Sequence, residues 1–308
     1  MQGATIPDRT NLVLATVLAL VQVGIVAIVP LALLPRSPWW GLLVLAGIAT
    51  TPTHWALIHE GIHRHLHPDR RVNDLVSRGL AVLFGAPLRL LRTGHLGHHQ
   101  LNGAVCERPE LMAGVTGTAA ARAGFYARLL GGVHLFEIAG NALAFLPSRW
   151  RVAVVRRIFY DGHADAPGAA DAAVRALTGR RALRELRRDG ALALGVLGFA
   201  AWAYGGAWPW LAAGLLGRAV LVSLLDNAFH YGAPLGDPHS GHNFALPGWI
   251  APAMLHFHLH RVHHRHPDLP WSALPQALVQ DGDRLDGGFA AGIARQFRGP
   301  VHPSRLGA

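Results

Sequence analysis

The chain has 308 residues, of which 51% are hydrophobic and only 15% charged, with a mean hydropathy of +0.26. Soluble domains carry roughly 25% charged residues, so the composition argues against an ordinary soluble globule and for a membrane protein. The formal net charge is +10, and all 28 basic residues are arginines. They flank apolar runs, as the positive-inside rule expects, so a membrane is the expected partner and nucleic acid is not. The single cysteine, Cys106, excludes an intrachain disulfide and a thiolate cage for zinc or iron–sulfur. Twenty histidines, clustered in mid-chain, are the anomaly.

In chain order, residues 11–34 form an uncharged apolar run long enough to cross a hydrocarbon core of about 30 Å. Pro35-Arg36-Ser37-Pro38 predicts a tight turn. Residues 39–58 predict a second span, with Trp39 and Trp40 suited to the interface. Residues 75–91 are apolar on one face and read as an interfacial or re-entrant helix. Residues 129–146 contain His134, Glu137 and Asn141 and read as interfacial or cytoplasmic. Residues 149–189 are strongly basic and read as aqueous. Spans three and four are predicted at 191–208 and 209–225, turning around Gly205-Gly206 and Trp208-Pro209-Trp210, with Arg218 inside the fourth.

The expected fold is an all-α integral membrane protein in a single domain, 1–308. It has about four transmembrane helices in two hairpins, with interfacial helices and a cytoplasmic histidine-rich cap. The arginine bias places segments 59–190 and 226–308, both termini and every histidine cluster on the cytoplasmic side, as in a multi-pass protein of a bacterial inner membrane.

Three clusters carry the chemistry. His59 and His63 are four apart on the end of the second span, within His59-Glu60-Gly61-Ile62-His63. Residues at this spacing share a helix face, and Pro68 is expected to stop the helix. The second cluster is His95, His98 and His99, and the third is His260, His263 and His264. Both read H-x-x-H-H, a spacing that lets three rings converge on one side of a helical turn. Asp226 and His230 lie four apart at the end of the fourth span. His230 is a candidate ligand. Asp226 is a candidate to bind metal directly, to bind through water, or to orient a ring. His54, His134, His163, His239, His242 and His302 fall outside these clusters, while His256, His258 and His266 lie close to the third.

Imidazole suits iron, zinc, copper or nickel. Nine histidines exceed one four-coordinate site and fit two metals with positions left for catalysis. Read alone, H-E-x-x-H also fits a membrane zinc protease with Glu60 as base, a reading that leaves both H-x-x-H-H clusters unused. A metal transporter would place its polar ligands inside the spans rather than at their ends.

From about residue 50 to 275, these boxes and the hairpin layout resemble the membrane fatty acid desaturase family. His59/His63, His95/His98/His99 and His260/His263/His264 match the family's three histidine boxes. Residues 92–102 look like the second box, and the stretch from His260 to Pro275 looks like the extended third. The resemblance implies that all nine histidines, His230 included, hold two ferrous ions and are catalytic. It also implies dioxygen as co-substrate and a fatty acyl or other lipid substrate. With no His-Pro-Gly-Gly heme motif present, electrons are expected from a separate external donor such as ferredoxin or a cytochrome. Desaturation is the leading expectation. Hydroxylation, carotenoid oxygenation and decarboxylation to a terminal alkene belong to the same chemistry. Two positions depart from the family pattern: His256 and Asp226 stand where many members carry asparagine.

Overall fold

The computed structural model describes residues 4–111, 118–302 and 306, and among them it is helical, with isolated β-bridges and no strand. Three stretches are long and apolar enough to cross a membrane: Asp8–Leu33, Pro38–His63 and Arg180–Ala228. The first consists of α1 (Asp8–Val23) continued by a π-helical segment, Gly24–Leu33, that contains Pro30. Proline has no N–H to donate. In i→i−5 bonding its partner would be the carbonyl of Ile25, and the Tyr204 hydroxyl donates to that oxygen instead, at 2.9 Å.

The second stretch enters through a 3-10 turn, Pro38–Leu43, and continues as α2 (Val44–Ala49) and α3 (Thr51–His63). It reaches beyond the expected 39–58, so His59 and His63 occupy the last turn of the span. The helix stops at Arg64, whose φ of 68° is left-handed, and not at Pro68. Next come α4 (Arg70–Phe84), capped by the Asp69 carboxylate, and α5 (Leu88–Leu101). The expected single helix over 75–91 is therefore two, broken at Gly85, where φ is +104°.

Four shorter helices cross the region expected to be aqueous or interfacial: α6 (Ala119–Ala127), α7 (Val133–Ala139), α8 (Ser148–Ile158) and α9 (Ala169–Thr178). The third stretch is itself two legs, α10 (Arg180–Tyr204) and α11 (Trp208–Ala228). They fold back on each other at Gly205–Ala207, so that Val196 and Ala200 face the same cavity as Leu215 and Arg218. This corrects 191–208 and 209–225: the turn is tighter, and α10 begins at Arg180, well before 191 and inside the arginine-rich stretch. The third histidine box forms a short helix, α12 (His260–Arg265).

Small residues set how closely these elements approach. A Cβ at Gly41 would lie 2.2 Å from the Trp210 ring, and one at Gly217 would lie 2.3 Å from Ile48. Glycine lets helix backbones come together where packing drives association. The same holds at Gly61, between the two histidines of the first box. A Cβ there would sit 1.8 Å from Ser77 Oγ and 2.6 Å from Ser77 Cβ on α4. Gly61→Ala is expected to cost about 1–3 kcal/mol by overpacking, and Gly61→Ala with Ser77→Gly to recover most of it. Unfolding of the purified variants in detergent checks this, and an unchanged midpoint for Gly61→Ala would refute the packing argument.

Both hairpin turns lie at one end of this bundle. At the other end, α3 and α11 terminate and α10 begins. There Asn11 of α1, fully buried, donates to the carbonyls of His65 and Leu66 and accepts from the Trp271 indole.

Candidate metal centre

The end of α3, the second half of α5, the segment after α11, and α12 meet at the end of the bundle away from the turns. They bring nine histidines into two groups whose ring nitrogens lie within 4.8 Å of one another. One group is His59, His63, His95, His99 and His263; the other is His98, His230, His260 and His264.

Neither H-x-x-H-H sequence serves a single group. Residues of an α-helix step by about 100°, so i and i+4 point nearly the same way while i+3 and i+4 diverge. His95 and His99 therefore join one group while His98 turns to the other. On α12 the assignment is reversed, with His260 and His264 together and His263 crossing over. The expectation that three rings of a box converge is corrected to two plus one.

Facing atoms are Nε2 throughout. In the first group the separations are 3.0 Å for His59–His263, 2.8 Å for His63–His95, 3.0 Å for His95–His99 and 3.0 Å for His99–His263. In the second they are 3.1 Å for His98–His230, 3.3 Å for His98–His264, 2.9 Å for His230–His260 and 3.1 Å for His260–His264. With metal–imidazole bonds of about 2.0–2.1 Å, ligands at right angles stand about 3 Å apart and tetrahedral ones about 3.4 Å. The donor sets thus fit a metal each, and the spacing lies nearer the right-angled arrangement than that of a closed zinc site.

Burial also favours the neutral form of several of the rings. Burial, reinforced by neighbouring rings, holds His95, His230, His260, His263 and His264 well below the ordinary histidine range. His99 is lowered to about 4, by burial and then by His98. Metals bind the neutral imidazole. The sign for the metal-free fold follows. Above about 6.5 both folded and unfolded chains hold these rings neutral. Below that the unfolded chain takes up protons that the folded one refuses. The contribution of these rings to the stability of the metal-free protein is expected to be constant above about pH 6.5 and to fall as pH drops from there towards about 4. A thermal midpoint that rose on acidification would contradict this.

Neighbouring side chains orient the rings. His98 Nδ1 donates to Glu107 Oε2 at 2.9 Å. Burial opposes ionisation of Glu107, but hydrogen bonds from His98 and Tyr160 outweigh it and hold its pKa below the usual range. Asn102, at the end of α5, donates to the carbonyls of Pro238 and Ser240, and its Nδ2 lies 3.3 Å from His264 Nδ1. Arg108 is 2% exposed and paired with Glu110, and it donates to the His230 and Ala233 carbonyls, both at 2.7 Å. Spacing singled out none of Glu107, Asn102, Arg108 or Glu110 as site residues. They act across loops, where no helical periodicity marks them.

Glu60 belongs to neither group: its Oε1 lies 3.7 Å from His59 Nδ1, the nitrogen on the far side of the ring from the group. Its Oε2 accepts from the Trp271 backbone N–H at 3.1 Å, tying the first box to the extension of the third. That occupies the carboxylate a protease would need as base. Asp226 is in neither group. It pairs with Arg128 at 3.3 Å, both side chains being half-exposed, and this corrects its candidacy as a direct ligand. His256 stacks on Trp271, and His266 bonds Asp281. His54 bonds the Leu80 carbonyl and His134 bonds Glu137.

Two spaces open beside the histidines. One, of about 50 Å³, lies between Trp55, Val222, Leu225, Met254 and Phe257, with His95, His98, His230 and His260 in its wall. It shares Trp55, His95, His98, Glu137, Asp226 and His230 with a second cavity of about 500 Å³ that runs under α6 and α7 towards Phe159 and Tyr160.

No curated protein and no solved structure matches the chain. A family model described as fatty acid desaturase matches residues 37–287, a range that contains all nine histidines and their supporting side chains. The chain belongs to the fatty acid desaturase family.

Proposed function

We propose that the protein is an oxygen-dependent di-iron oxidoreductase that desaturates a fatty acyl chain at an unactivated carbon. The observation that carries this reading is the pair of all-imidazole donor sets beside an apolar pocket. His59, His63, His95, His99 and His263 would hold one iron, and His98, His230, His260 and His264 the other. The bound irons would supply the oxidising power, with dioxygen and two electrons from a separate carrier.

The chain's own residues do the positioning. Trp55, Val222, Leu225, Met254 and Phe257 offer an acyl chain apolar contact, and they present it to rings of both groups. His59, His230, His260, His263 and His264 are buried, and Glu107 fixes the ring orientation of His98. An oriented C–H held at one position gains rate through proximity, and that position decides whether a second hydrogen leaves or oxygen is inserted.

We place the histidine end in the cytoplasm of a multi-pass membrane protein, with the four legs of the two hairpins crossing the bilayer. Arg180, Arg181 and Arg184 are exposed at the start of α10, near the histidine end, and Arg149 and Arg157 are exposed on α8. A basic surface of this kind favours docking of an acidic electron carrier such as ferredoxin.

The test is expression in a host of known lipid composition, with lipid and headspace analysis and iron determination on the purified chain. Two irons per chain and a new double bond are expected. A hydroxylated lipid or a volatile alkene would move the assignment within the family. Activity with zinc alone, needing neither oxygen nor electrons, would overturn it.

A further inference from the structure

Arg218 stands at the midpoint of α11, ten residues after Trp208 and ten before Ala228, and is 7% exposed. A cation at mid-span is costly and marks a functional site when no partner neutralises it. Here no acidic side chain pairs with it among the described residues, and none lines its cavity. A guanidinium has five N–H donors. Two bonds are made, from Nη2 to Gln22 Oε1 at 2.6 Å and from Nη1 to the Leu83 carbonyl at 3.4 Å.

The cavity beside it has a volume of about 60 Å³ and is walled by Ile25, Val26, Val196, Leu197, Leu211 and Leu215. Gln22 is 3% exposed and also lines it. Its amide Nε2 has no hydrogen-bond partner among the described residues. Gly47 also lines the cavity, and a Cβ there would meet the cavity-wall Ile25 Cδ1 at 2.7 Å. A buried fork of donors, an unused amide N–H and an uncompensated positive charge thus face one apolar cavity.

We propose that this cavity is an intramembrane binding site for the carboxylate of a free fatty acid, distinct from the histidine groups. A planar carboxylate matches the guanidinium in shape and charge, and the volume admits that group with its first carbons. The tail continues along the aliphatic walls of α10 and α11. A phospholipid carries the same negative charge, but its phosphate stays at headgroup level and does not reach mid-span. A purely structural clamp, Arg218 held by Gln22 and by the Phe84 ring at 5.6 Å, leaves both the charge and the Gln22 amide unmatched.

The test uses the full purified chain in detergent, with carboxyl-labelled palmitate as probe and binding followed by NMR of the label. Palmitate is expected to bind with an Arg218-dependent component that Arg218→Gln weakens about tenfold or more, the loss of one charge-assisted pair. Hexadecanol of the same length is expected to compete about tenfold less well or worse. Gln22→Glu supplies an internal carboxylate, so it is expected to raise the unfolding midpoint while abolishing that component. This variant guards against Arg218→Gln merely failing to fold. His263→Ala is expected to leave the component intact, which separates this site from the histidine pocket whatever the latter's reaction proves to be. Equal competition by hexadecanol or phosphatidylglycerol, or unchanged palmitate binding in both Arg218→Gln and Gln22→Glu, would overturn the proposal.

Discussion

His98→Ala and His263→Ala are each expected to lower product formation by roughly 100-fold or more and to empty different metal positions. Loss of a residue that merely orients a metal ligand costs about 10–100-fold, so loss of the ligand itself costs at least the upper end of that range. Both residues lie in H-x-x-H-H sequences, but their rings face opposite groups. His263 closes the five-membered group between His59 and His99. His98 closes the four-membered group between His230 and His264. Alanine variants should therefore sort by group and not by box. His95→Ala should resemble His263→Ala in iron content and in the Mössbauer spectrum of the iron that remains, and His98→Ala should resemble His264→Ala. If variants sorted instead with their sequence neighbours, His95 with His98, the crossed arrangement would be wrong. If product formation survived both His98→Ala and His263→Ala, the di-iron proposal would fall with it.

The crossed arrangement also shows what the sequence can and cannot disclose. Helical spacing selects the nine histidines, because i, i+3 and i+4 are properties of one segment and need no knowledge of its neighbours. Which ring joins which group depends on how α5 and α12 are rotated against α3, a matter of tertiary packing that no local spacing encodes. Apolar run length finds the stretches long and apolar enough to cross a membrane but misplaces their ends. The hydrophobic signal fades at Ala191 and His59, whereas the helices continue to Arg180 and His63. A helix end is set by its hydrogen bonds and not by its hydropathy. Asp226 looked like a ligand because it shares a face with His230. Arg128, on a different element, pairs with it instead. The least legible part is the support around the two histidine groups. Asn11, Glu107 and Arg108 act on partners 54, 9 and 122 residues away in the chain, at distances no sequence pattern marks.

Arg108→Ala is expected to be among the most damaging changes outside the histidines, and for two separable reasons. Arg108 and Glu110 are fully buried, at 1% and 0% side-chain exposure, and the arginine reaches the Glu110 carboxylate through both Nε and Nη2. Removing one partner strands the other charge in the interior, which costs about 3–5 kcal/mol. The same guanidinium binds the His230 and Ala233 carbonyls in the turn just beyond the end of α11, a turn also closed by the Ala233 N–H donating to the His230 carbonyl. It therefore holds the turn that aims His230 at His98 and His260. The double change Arg108→Met with Glu110→Leu separates the two roles. It removes both charges at similar volume, and replacing a whole buried pair by apolar groups is often neutral for stability. The double variant is expected to recover most of the unfolding midpoint that Arg108→Ala loses, yet to keep a deficit in the iron bound by the four-membered group. Thermal unfolding in detergent and iron content, measured on the same preparations, decide it. Full recovery of both would mean that Arg108 only neutralises Glu110, and that α11 delivers His230 without help.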